Sequence, residues 1–573
     1  MSVVEEAVPA RRRIVQPALL LWIAPLAFLA VFFFQPVWAI LRVALIAALE
    51  RGLSGYELSR VWDSLSFTVW QALLSTLLTL VVGLPAAYVF GRYLFPGKSL
   101  LRVLTTLPFM MPTVVVAASF NAMLGSRGWL NQFLMGAFNL ADPPLQIVNT
   151  LGAILLAHVF YNTTIVLRVV GGAWAQLDPR IEQAARVLGA PPARTLREVT
   201  LPLLRPAILS ATLLVFLFDF TSFAVILLLG GPRNATLEVE IYVQALNMLN
   251  LPLAGLLSMV QMVFTIGLTV LYARIAGQRA VPLAPRLKGE GMAYPETARQ
   301  RLLVYTTVLV LVILLVLPLV SLAVRSVMPV EAGRATGGEA ASGLTLAYYR
   351  ELFINRRGSL FYVPPIAAAR NSLIYAGATM LISVVLGFFA AYALARPSRI
   401  NRLIEPVLML PLGTSAVTLG LGFILVFTRP PFDVRSFPAL IPIAHSLVAL
   451  PFVVRTIQPA IAAIPGPLRQ AAAVLGASPL RVWWEIDLPI IARAALVGAV
   501  FSFTISLGEF GATTFLARPE YPTLPVAIYR YLSQPGSLNY GAAIAMSTLL
   551  MLLTAAGIVL MERLKLPGQG DSL

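Results

Sequence analysis

The sequence predicts an all-α membrane protein with about twelve transmembrane helices in two parallel six-helix repeats. Three observations support this fold class: an apolar composition, a series of long apolar segments, and an internal repeat. Of the 573 residues, 58% are hydrophobic and 12% are charged, whereas soluble domains carry about 25% charged residues. The chain has no cysteine and two histidines, which excludes disulfide frameworks and thiolate metal sites. The net charge of +17 could suggest nucleic-acid binding, but the distribution of the basic residues, described below, indicates a membrane topology signal.

Twelve segments are apolar over the roughly 20 residues that a helix needs to cross a bilayer. They are 18–48, 65–91, 101–124, 147–172, 201–230, 250–274, 302–328, 371–395, 403–428, 437–463, 489–517 and 540–562. The first segment is longer than a signal-peptide core of about 7–15 residues, so we expect it to be an uncleaved helix. The predicted organisation is a tail at 1–17, a six-helix domain at 18–274, a linker at 275–301, a second six-helix domain at 302–562 and a tail at 563–573.

Basic residues cluster in the connections on one side of the predicted spans. They are Arg92, Lys98 and Arg102 in one loop, Arg396, Arg399 and Arg402 in another, and Arg274, Arg279, Arg286, Lys288, Arg299 and Arg301 around the linker. Lys and Arg accumulate in short cytoplasmic loops. We therefore expect these connections, and both termini, to be cytoplasmic.

The second half of the chain repeats the first, at an offset of 287 positions from 157 to 242. Gln183-Ala184-Ala185 recurs as Gln470-Ala471-Ala472, and the offset also pairs the only two histidines, His158 and His445. Further upstream, the offset is 304, where 86–88 recurs as 390–392. Six spans separate equivalent points, so the repeats share one orientation. This arrangement predicts a pseudo-two-fold axis along the membrane normal, with a pathway between the halves.

A polar motif with fixed spacing lies between the fourth and fifth predicted spans of each half. The first copy contains Glu182, Ala184, Ala185, Gly189, Leu201 and Pro202, and the second contains Arg469, Ala471, Ala472, Gly476, Leu488 and Pro489. The alanines allow a short helix to pack closely, and the glycine permits a sharp turn after it. The proline sits in the first turn of the next span, where its missing N–H costs no hydrogen bond.

This motif resembles the EAA loop of the permeases of binding-protein-dependent ABC importers. The segments 107–113, 155–162, 222–231, 507–511 and 523–525 are similar to parts of the fused thiamine permeases. Iron(III) permeases are the next most similar group. The likeness covers most of both halves. Arg469 departs from the pattern because it occupies the glutamate position. If that glutamate contacts the ATPase in the family, the two halves are expected to dock unequally.

The resemblance implies a type I ABC importer permease fold in the inner membrane of a bacterium. It implies partners of three kinds: two copies of a cytoplasmic ABC ATPase, an extracytoplasmic substrate-binding protein, and membrane lipid. ATP and Mg would then be bound by the partner ATPase, and this chain would carry no cofactor and no enzymatic activity. Gly97-Lys98-Ser99 does not make a phosphate-binding loop, because such a loop needs a glycine where Arg92 stands.

Polar and aromatic residues inside the predicted spans are candidates for the pathway or its gate. They are His158, Asn162, Asp219, Ser222, Phe223, His445, Glu509 and Phe510. Intramembrane carboxyl groups are costly and usually face the bundle interior or water. Hydrogen bonding between helices for packing alone is the other interpretation of the histidines. A carboxyl group close to the outer interface would be solvated, so a pathway role for the two acids also stays open.

Two other functional classes fit the composition less well. An ion-coupled secondary transporter can also have twelve helices in two halves, but intramembrane charge is sparse here and the paired motifs would be unexplained. A membrane enzyme would need a cluster of nucleophile, base and metal ligand, and the sequence presents none. The function expected from the sequence is therefore ATP-driven solute import, with thiamine as the expected substrate and iron(III) as the alternative.

Overall fold

The structure is a computed structural model that describes residues 15–276, 292–329, 344–354, 364–395, 398–428, 432–433 and 436–564. Within these residues the fold is helical, and the only β pairing is an isolated bridge between Tyr93 and Ala293. Most of the predicted tails, 1–17 and 563–573, and of the predicted linker, 275–301, lies outside the described residues.

The helices of the first half run in chain order from an amino-terminal span to the start of the linker. They are α1 (Val15–Leu29), α2 (Gln35–Arg51), α3 (Gly55–Arg92), α4 (Lys98–Met110), α5 (Thr113–Leu124), α6 (Trp129–Phe138), α7 (Leu151–Gln176), α8 (Pro179–Val187), α9 (Pro192–Thr195), α10 (Leu201–Phe220), α11 (Ala224–Leu229), α12 (Leu237–Tyr242) and α13 (Leu251–Ala276). Turns of π-helix occupy Ala30–Phe34, Leu196–Thr200 and Val243–Asn247.

Among the described residues, the second half repeats this order, except that α16 has no counterpart in the first half and α6 has none in the second. Its helices are α14 (Ala298–Leu315), α15 (Leu317–Ser326), α16 (Ala347–Glu351), α17 (Pro365–Leu394), α18 (Arg399–Met409), α19 (Ala416–Val426), α20 (Leu440–Ala462), α21 (Gly466–Val474), α22 (Pro479–Val482), α23 (Leu488–Gly508), α24 (Gly511–Leu516), α25 (Leu524–Leu532) and α26 (Ser537–Leu564). A 3-10 turn lies at Leu410–Gly413, and a π turn at Trp483–Asp487 matches the π turn at Leu196–Thr200 in the first half.

The prediction of about twelve membrane-spanning helices is confirmed. Among the described residues, ten helices are long and apolar enough to cross a membrane, and two bent pairs bring the number to twelve if each pair is one span. The pairs are Lys98–Pro108 with Thr113–Phe138, bent by 107°, and Arg399–Gly413 with Ala416–Val426, bent by 96°. Pro112 lies at the first bend, and the residue before it, Met111, is extended, because proline disfavours a helical conformation in the preceding residue. The second bend follows the 3-10 turn, where Thr414 is extended.

The predicted spans at 101–124, 403–428, 201–230 and 489–517 were therefore wrong as continuous helices. The first two are the bent pairs. In the other two, α10 ends at Phe220 and α23 at Gly508, and a six-residue helix follows each break. The polar residues around these two breaks belong to the candidate site described below.

Contacts inside the two halves follow the repeat. Gly83 lies against Val166, and its repeat partner Gly387 lies against Val453, so a Cβ at either glycine would stand within 2.7 Å of the valine side chain. Small residues at such crossings let membrane helices approach closely. These contacts join α3 to α7 and α17 to α20.

The first span of each half packs on the other half. α1 and α2 contact α17 and α19, and Trp22 Nε1 donates a hydrogen bond to Asn401 Oδ1 at 3.2 Å. In the reciprocal contact, α14 and α15 pack on α3 and α5, and Trp129 Nε1 donates to Ser321 Oγ at 2.5 Å. Each half is thus completed by a helix from its partner half.

Candidate functional site

The two polar motifs form the same turn in both halves, and we call residues 179–190 and 466–477 the tip loops. Gly189 and Gly476 follow α8 and α21 with φ angles of 84° and 83°, in the left-handed region that glycine adopts readily. The N–H group after each glycine donates to a carbonyl five residues earlier, at 3.1 Å and 3.0 Å. This is a Schellman turn, which closes the carboxyl end of a helix.

The ends of the tip loops carry exposed apolar side chains. Val187 and Leu188 are 86% and 88% exposed, and their repeat partners Val474 and Leu475 are 86% and 87% exposed. Ala184 and Ala471 are exposed, whereas Ala185 and Ala472 are half-buried. α10 begins at Leu201 with Pro202 in its first turn, and α23 begins in the same way at Leu488 and Pro489. Both copies therefore have an unburied apolar tip and a proline-started span behind it.

Glu182 and Arg469, the repeat partners that differ in charge, both bind within the chain. Glu182 forms an ion pair with Arg92 and accepts a hydrogen bond from Thr200 Oγ1 at 2.7 Å. Arg469 Nε donates to Asp487 Oδ1 at 2.8 Å. Thr200 and Asp487 are themselves repeat partners, each at the end of its π turn. The glutamate of the motif thus has a partner in this chain, and Asp487 compensates the arginine in the second half.

The two histidines occupy equivalent polar clusters at the breaks in the fifth spans. His158 Nδ1 shares a hydrogen bond with Ser75 Oγ at 3.0 Å and lies 3.3 Å from Asp219 Oδ1, and its Nε2 lies 2.8 Å from Ser222 Oγ. In the second half, His445 Nδ1 lies 2.7 Å from Ser506 Oγ, and its Nε2 lies 2.7 Å from Thr513 Oγ1 and 3.0 Å from Glu509 Oε2. We call each set, a histidine between an acid and a serine, a histidine bracket.

The acids of both brackets are buried and have further partners. Asp219 is 0% exposed, and its Oδ1 accepts a hydrogen bond from Asn162 Nδ2 at 2.6 Å. Glu509 is 8% exposed and accepts from the backbone N–H groups of Ala512 and Thr513 at 2.8 Å and 3.0 Å. Neither acid is a solvated interfacial group, which was the alternative considered from the sequence.

Phe223 and Phe510 follow the two brackets directly and meet between the halves. Their ring centroids are 5.5 Å apart with planes inclined by 21°. Tyr242 and Tyr529, which are also repeat partners, each lie 5.5 Å from the phenylalanine of their own half. Both phenylalanines are buried, at 7% and 2% exposure. The four rings form an aromatic cluster where the halves come together.

A family model matches both halves of the chain, at residues 79–329 and 383–565, and its description is "Binding-protein-dependent transport system inner membrane component". The chain belongs to this family. The permease is also similar to individual transport proteins. It is 26% identical to the thiamine transport system permease protein ThiP of Brucella abortus (strain 2308), over 91% of this chain and 92% of that protein.

Two further relatives show how widely this likeness extends. ThiP of Escherichia coli (strain K12) is 27% identical to the permease over 89% of this chain and 90% of its own length. The putative 2-aminoethylphosphonate transport system permease protein PhnU of Salmonella paratyphi A is 31% identical, over 46% of this chain and 94% of its own length. These relatives are transport components rather than enzymes, and the permease is a multi-pass inner-membrane protein of a binding-protein-dependent ABC importer.

Sequence reasoning missed several residues of the site. Ser506 completes the second bracket, and the offset of 287 from Asp219 could have identified it. Glu238 was also missed: it accepts a hydrogen bond from Ser415 Oγ of the other half at 2.7 Å and another from Gln261. Glu238 could have been noticed because the repeat does not conserve it: its repeat partner is Pro525.

Proposed function

We propose that the permease forms the translocation pathway of its importer and is driven through its two tip loops by a separate ATPase. The observation that carries this proposal is the pair of exposed apolar tips, Val187-Leu188 and Val474-Leu475, each 86–88% exposed at matching positions. Exposed apolar groups of this kind mark interaction sites. Two related tips fit two copies of one ATPase, which would hold the ATP and Mg.

We further propose that the tip loops, both termini and the linker face the cytoplasm. The linker and the first tip loop lie on the same side of the helix bundle. Ala293 N–H of the linker donates to Arg92 O at 3.1 Å, and the Arg92 side chain forms an ion pair with Glu182 of the first tip loop. The basic residues of the connections favour the cytoplasm as that side. The substrate-binding protein would then deliver solute to the opposite end.

The aromatic cluster is proposed to close the pathway on the axis between the halves. Its support is geometric: Phe223 and Phe510 come from opposite halves, and their stacked rings occupy the position where a pathway between repeats is expected. Moving the halves apart would separate the rings, whereas a packing contact within one half would stay unchanged. Alternating access would thus open and close this stack.

Thiamine is the substrate that we propose, with iron(III) as the alternative. The thiamine permeases match both halves of the chain, while the phosphonate permease matches about half of it. Thiamine is a cation with flat rings, and contacts between a cation and an aromatic ring contribute about 0.5–2 kcal/mol each. The aromatic cluster carries this argument, because Glu509 is engaged by His445 and by the start of α24.

The coupling proposal is tested by introducing a charge at the tips. Leu188→Asp and Leu475→Asp are expected to abolish co-purification of the ATPase, since both side chains are exposed and neither contributes to the core. Tyr294→Asp is the matched control, because Tyr294 is 70% exposed within the predicted linker. Unchanged ATPase binding in both tip variants would contradict the coupling proposal.

The substrate is tested with the assembled importer in proteoliposomes. The cognate binding protein is supplied with thiamine, thiamine phosphate, 2-aminoethylphosphonate or ferric iron, and ATP hydrolysis and uptake are both measured. We expect thiamine alone to stimulate both. Stimulation by another solute without thiamine would replace the substrate and leave the permease function intact.

A further inference from the structure

The histidine brackets are related by the internal repeat, but the acid changes position within them. The offset of 287 pairs His158 with His445, Asp219 with Ser506, and Ser222 with Glu509. In the first half the acid therefore faces Nδ1 of the histidine and the serine faces Nε2. In the second half the serine faces Nδ1 and the acid faces Nε2. A further hydroxyl lies beside the acid in each half, Ser75 Oγ at His158 Nδ1 and Thr513 Oγ1 at His445 Nε2. The acid and the serine of the bracket thus occur in exchanged order.

Both brackets span the break in a fifth span. Asp219 lies at the end of α10 and Ser222 in the break before α11, while Ser506 lies near the end of α23 and Glu509 in the break before α24. The histidine belongs to another helix, α7 or α20. The histidine therefore joins both sides of the break to the neighbouring span. Because hydrogen bonds buried from water constrain geometry strongly, these contacts fix the shape of the break.

The bracket also fixes where the aromatic cluster begins. Phe223 comes one residue after Ser222, and Phe510 one residue after Glu509. The Glu509 carboxyl group additionally binds the first free N–H groups of α24, which sets the direction in which the chain leaves the break. A change in either bracket would thus move a phenylalanine whose ring stacks across the axis.

We propose that the two histidine brackets position Phe223 and Phe510, and that the acid can occupy either of the two bracket positions without loss of function. The inference rests on the proposed role of the aromatic cluster in closing the pathway. His158, His445, Asp219 and Glu509 are positioning residues in this account. They need no contact with the substrate, which distinguishes them from pathway residues that bind it.

The test is to exchange the bracket positions in each half separately. Asp219→Ser alone is expected to lower ATP-driven thiamine uptake about tenfold, because it removes the hydrogen bond with Asn162 and the contact with His158 Nδ1. Adding Ser222→Glu to it should restore uptake to within about threefold of wild type, because a glutamate there reproduces the second-half bracket. The converse pair is Glu509→Ser with Ser506→Asp. Thr163→Ala is the control, because Thr163 is buried on α7 and, among the described residues, its hydroxyl donates to its own helix, at Val159 O.

The distance between the two halves near the aromatic cluster gives a second, independent measurement. The chain has no cysteine, so spin labels at Met248→Cys and Ser533→Cys, both exposed beyond the helices that carry Tyr242 and Tyr529, report the distance between the halves. The single variants should broaden the resting distance distribution, and the exchanged variants should narrow it again. Recovery of uptake and distance in either half supports the proposal.

Failure to recover in both halves overturns the proposal, and so does failure of both exchanged proteins to accumulate in the membrane, because an interchangeable bracket must fold. Failure of the proposed function looks different. In that case, the wild-type complex itself would show no ATP-driven uptake of any supplied solute, whereas the labelled distances would still report whether exchange preserves the bracket.

Discussion

Arg469→Ala is expected to loosen the second tip loop from the span behind it. Arg469 Nε donates to Asp487 Oδ1 at 2.8 Å, and the two side chains are 38% and 6% exposed. A hydrogen bond that involves a charged group contributes about 1.5–3 kcal/mol. Because Arg469 is more than a third exposed, solvent screening places the pair near 1–2 kcal/mol. The open population of α21 should therefore rise about 5–30-fold.

Hydrogen–deuterium exchange of the purified permease in nanodiscs measures this opening directly, since exchange of helix amides reports local unfolding free energies. Amides 470–474 should exchange about 5–30-fold faster in Arg469→Ala, with no change in α8. The matched control is Arg481→Ala. Arg481 pairs with Glu485, but these side chains are 67% and 62% exposed, and such a surface pair contributes about 0.2–1 kcal/mol.

A double-mutant cycle with Asp487→Ala completes the experiment. If the contact is the cause, the double variant should exchange no faster than Asp487→Ala alone. The reasoning is refuted if α21 exchange in Arg469→Ala equals wild type, or if Arg481→Ala accelerates exchange equally. It is also refuted if the effects of the two substitutions at Arg469 and Asp487 simply add.

Three further predictions concern the coupling end of the permease. Gly189→Val should lose substrate-stimulated ATP hydrolysis, while Gly189→Asn should keep most of it. An added side chain would meet no neighbour, so the two variants differ in the backbone strain at φ 84°, about 1–2 kcal/mol, which asparagine tolerates better than valine. Equal activities of the two variants would contradict this. A cysteine at Tyr294 should react with an impermeant thiol reagent only from the cytoplasmic side, and labelling of intact cells from outside would reverse the orientation. Arg186 gives the first tip loop a positive charge that the second loop lacks, because the repeat partner of Arg186 is Ala473. Arg186→Ala should therefore weaken the salt dependence of ATPase binding, and an unchanged salt titration would show that Arg186 takes no part in docking.

The internal offset made much of the architecture predictable. It identified two parallel halves and paired His158 with His445, and the apolar segments predicted the membrane spans. These features depend on local composition and on identity between repeats, both of which are written in the sequence. The offset also contained the pairing of Asp219 with Ser506, but nothing local indicates that these positions face a histidine some 60 residues away along the chain.

The breaks in the third and fifth spans were not predictable in the same way. An apolar window of about 20 residues averages across a short break, so Phe220 and Gly508 looked like interior positions. The partner of Glu182 was hidden for another reason. Arg92 belongs to the end of α3, and only the packing of the helices brings it to α8. Long-range contacts between charged residues have no signature in a motif.

The exchange of first spans between the halves has a consequence for biosynthesis. α1 enters the bilayer long before its partners exist: the hydrogen bond from Trp22 reaches Asn401, 379 residues further along the chain. During translation, the indole N–H and the apolar face of α1 must be satisfied by lipid or by temporary neighbours, because helices insert first and associate afterwards. An amino-terminal half released on its own would lack α14 and α15 against α3 and α5, and α1 would lack α17, whereas α2 would lose α19 and keep its contact with α13. Completion of the first half therefore waits for the helices that open the second half, α14 to α19, and a chain that stops before them would leave the helices already inserted without these partners.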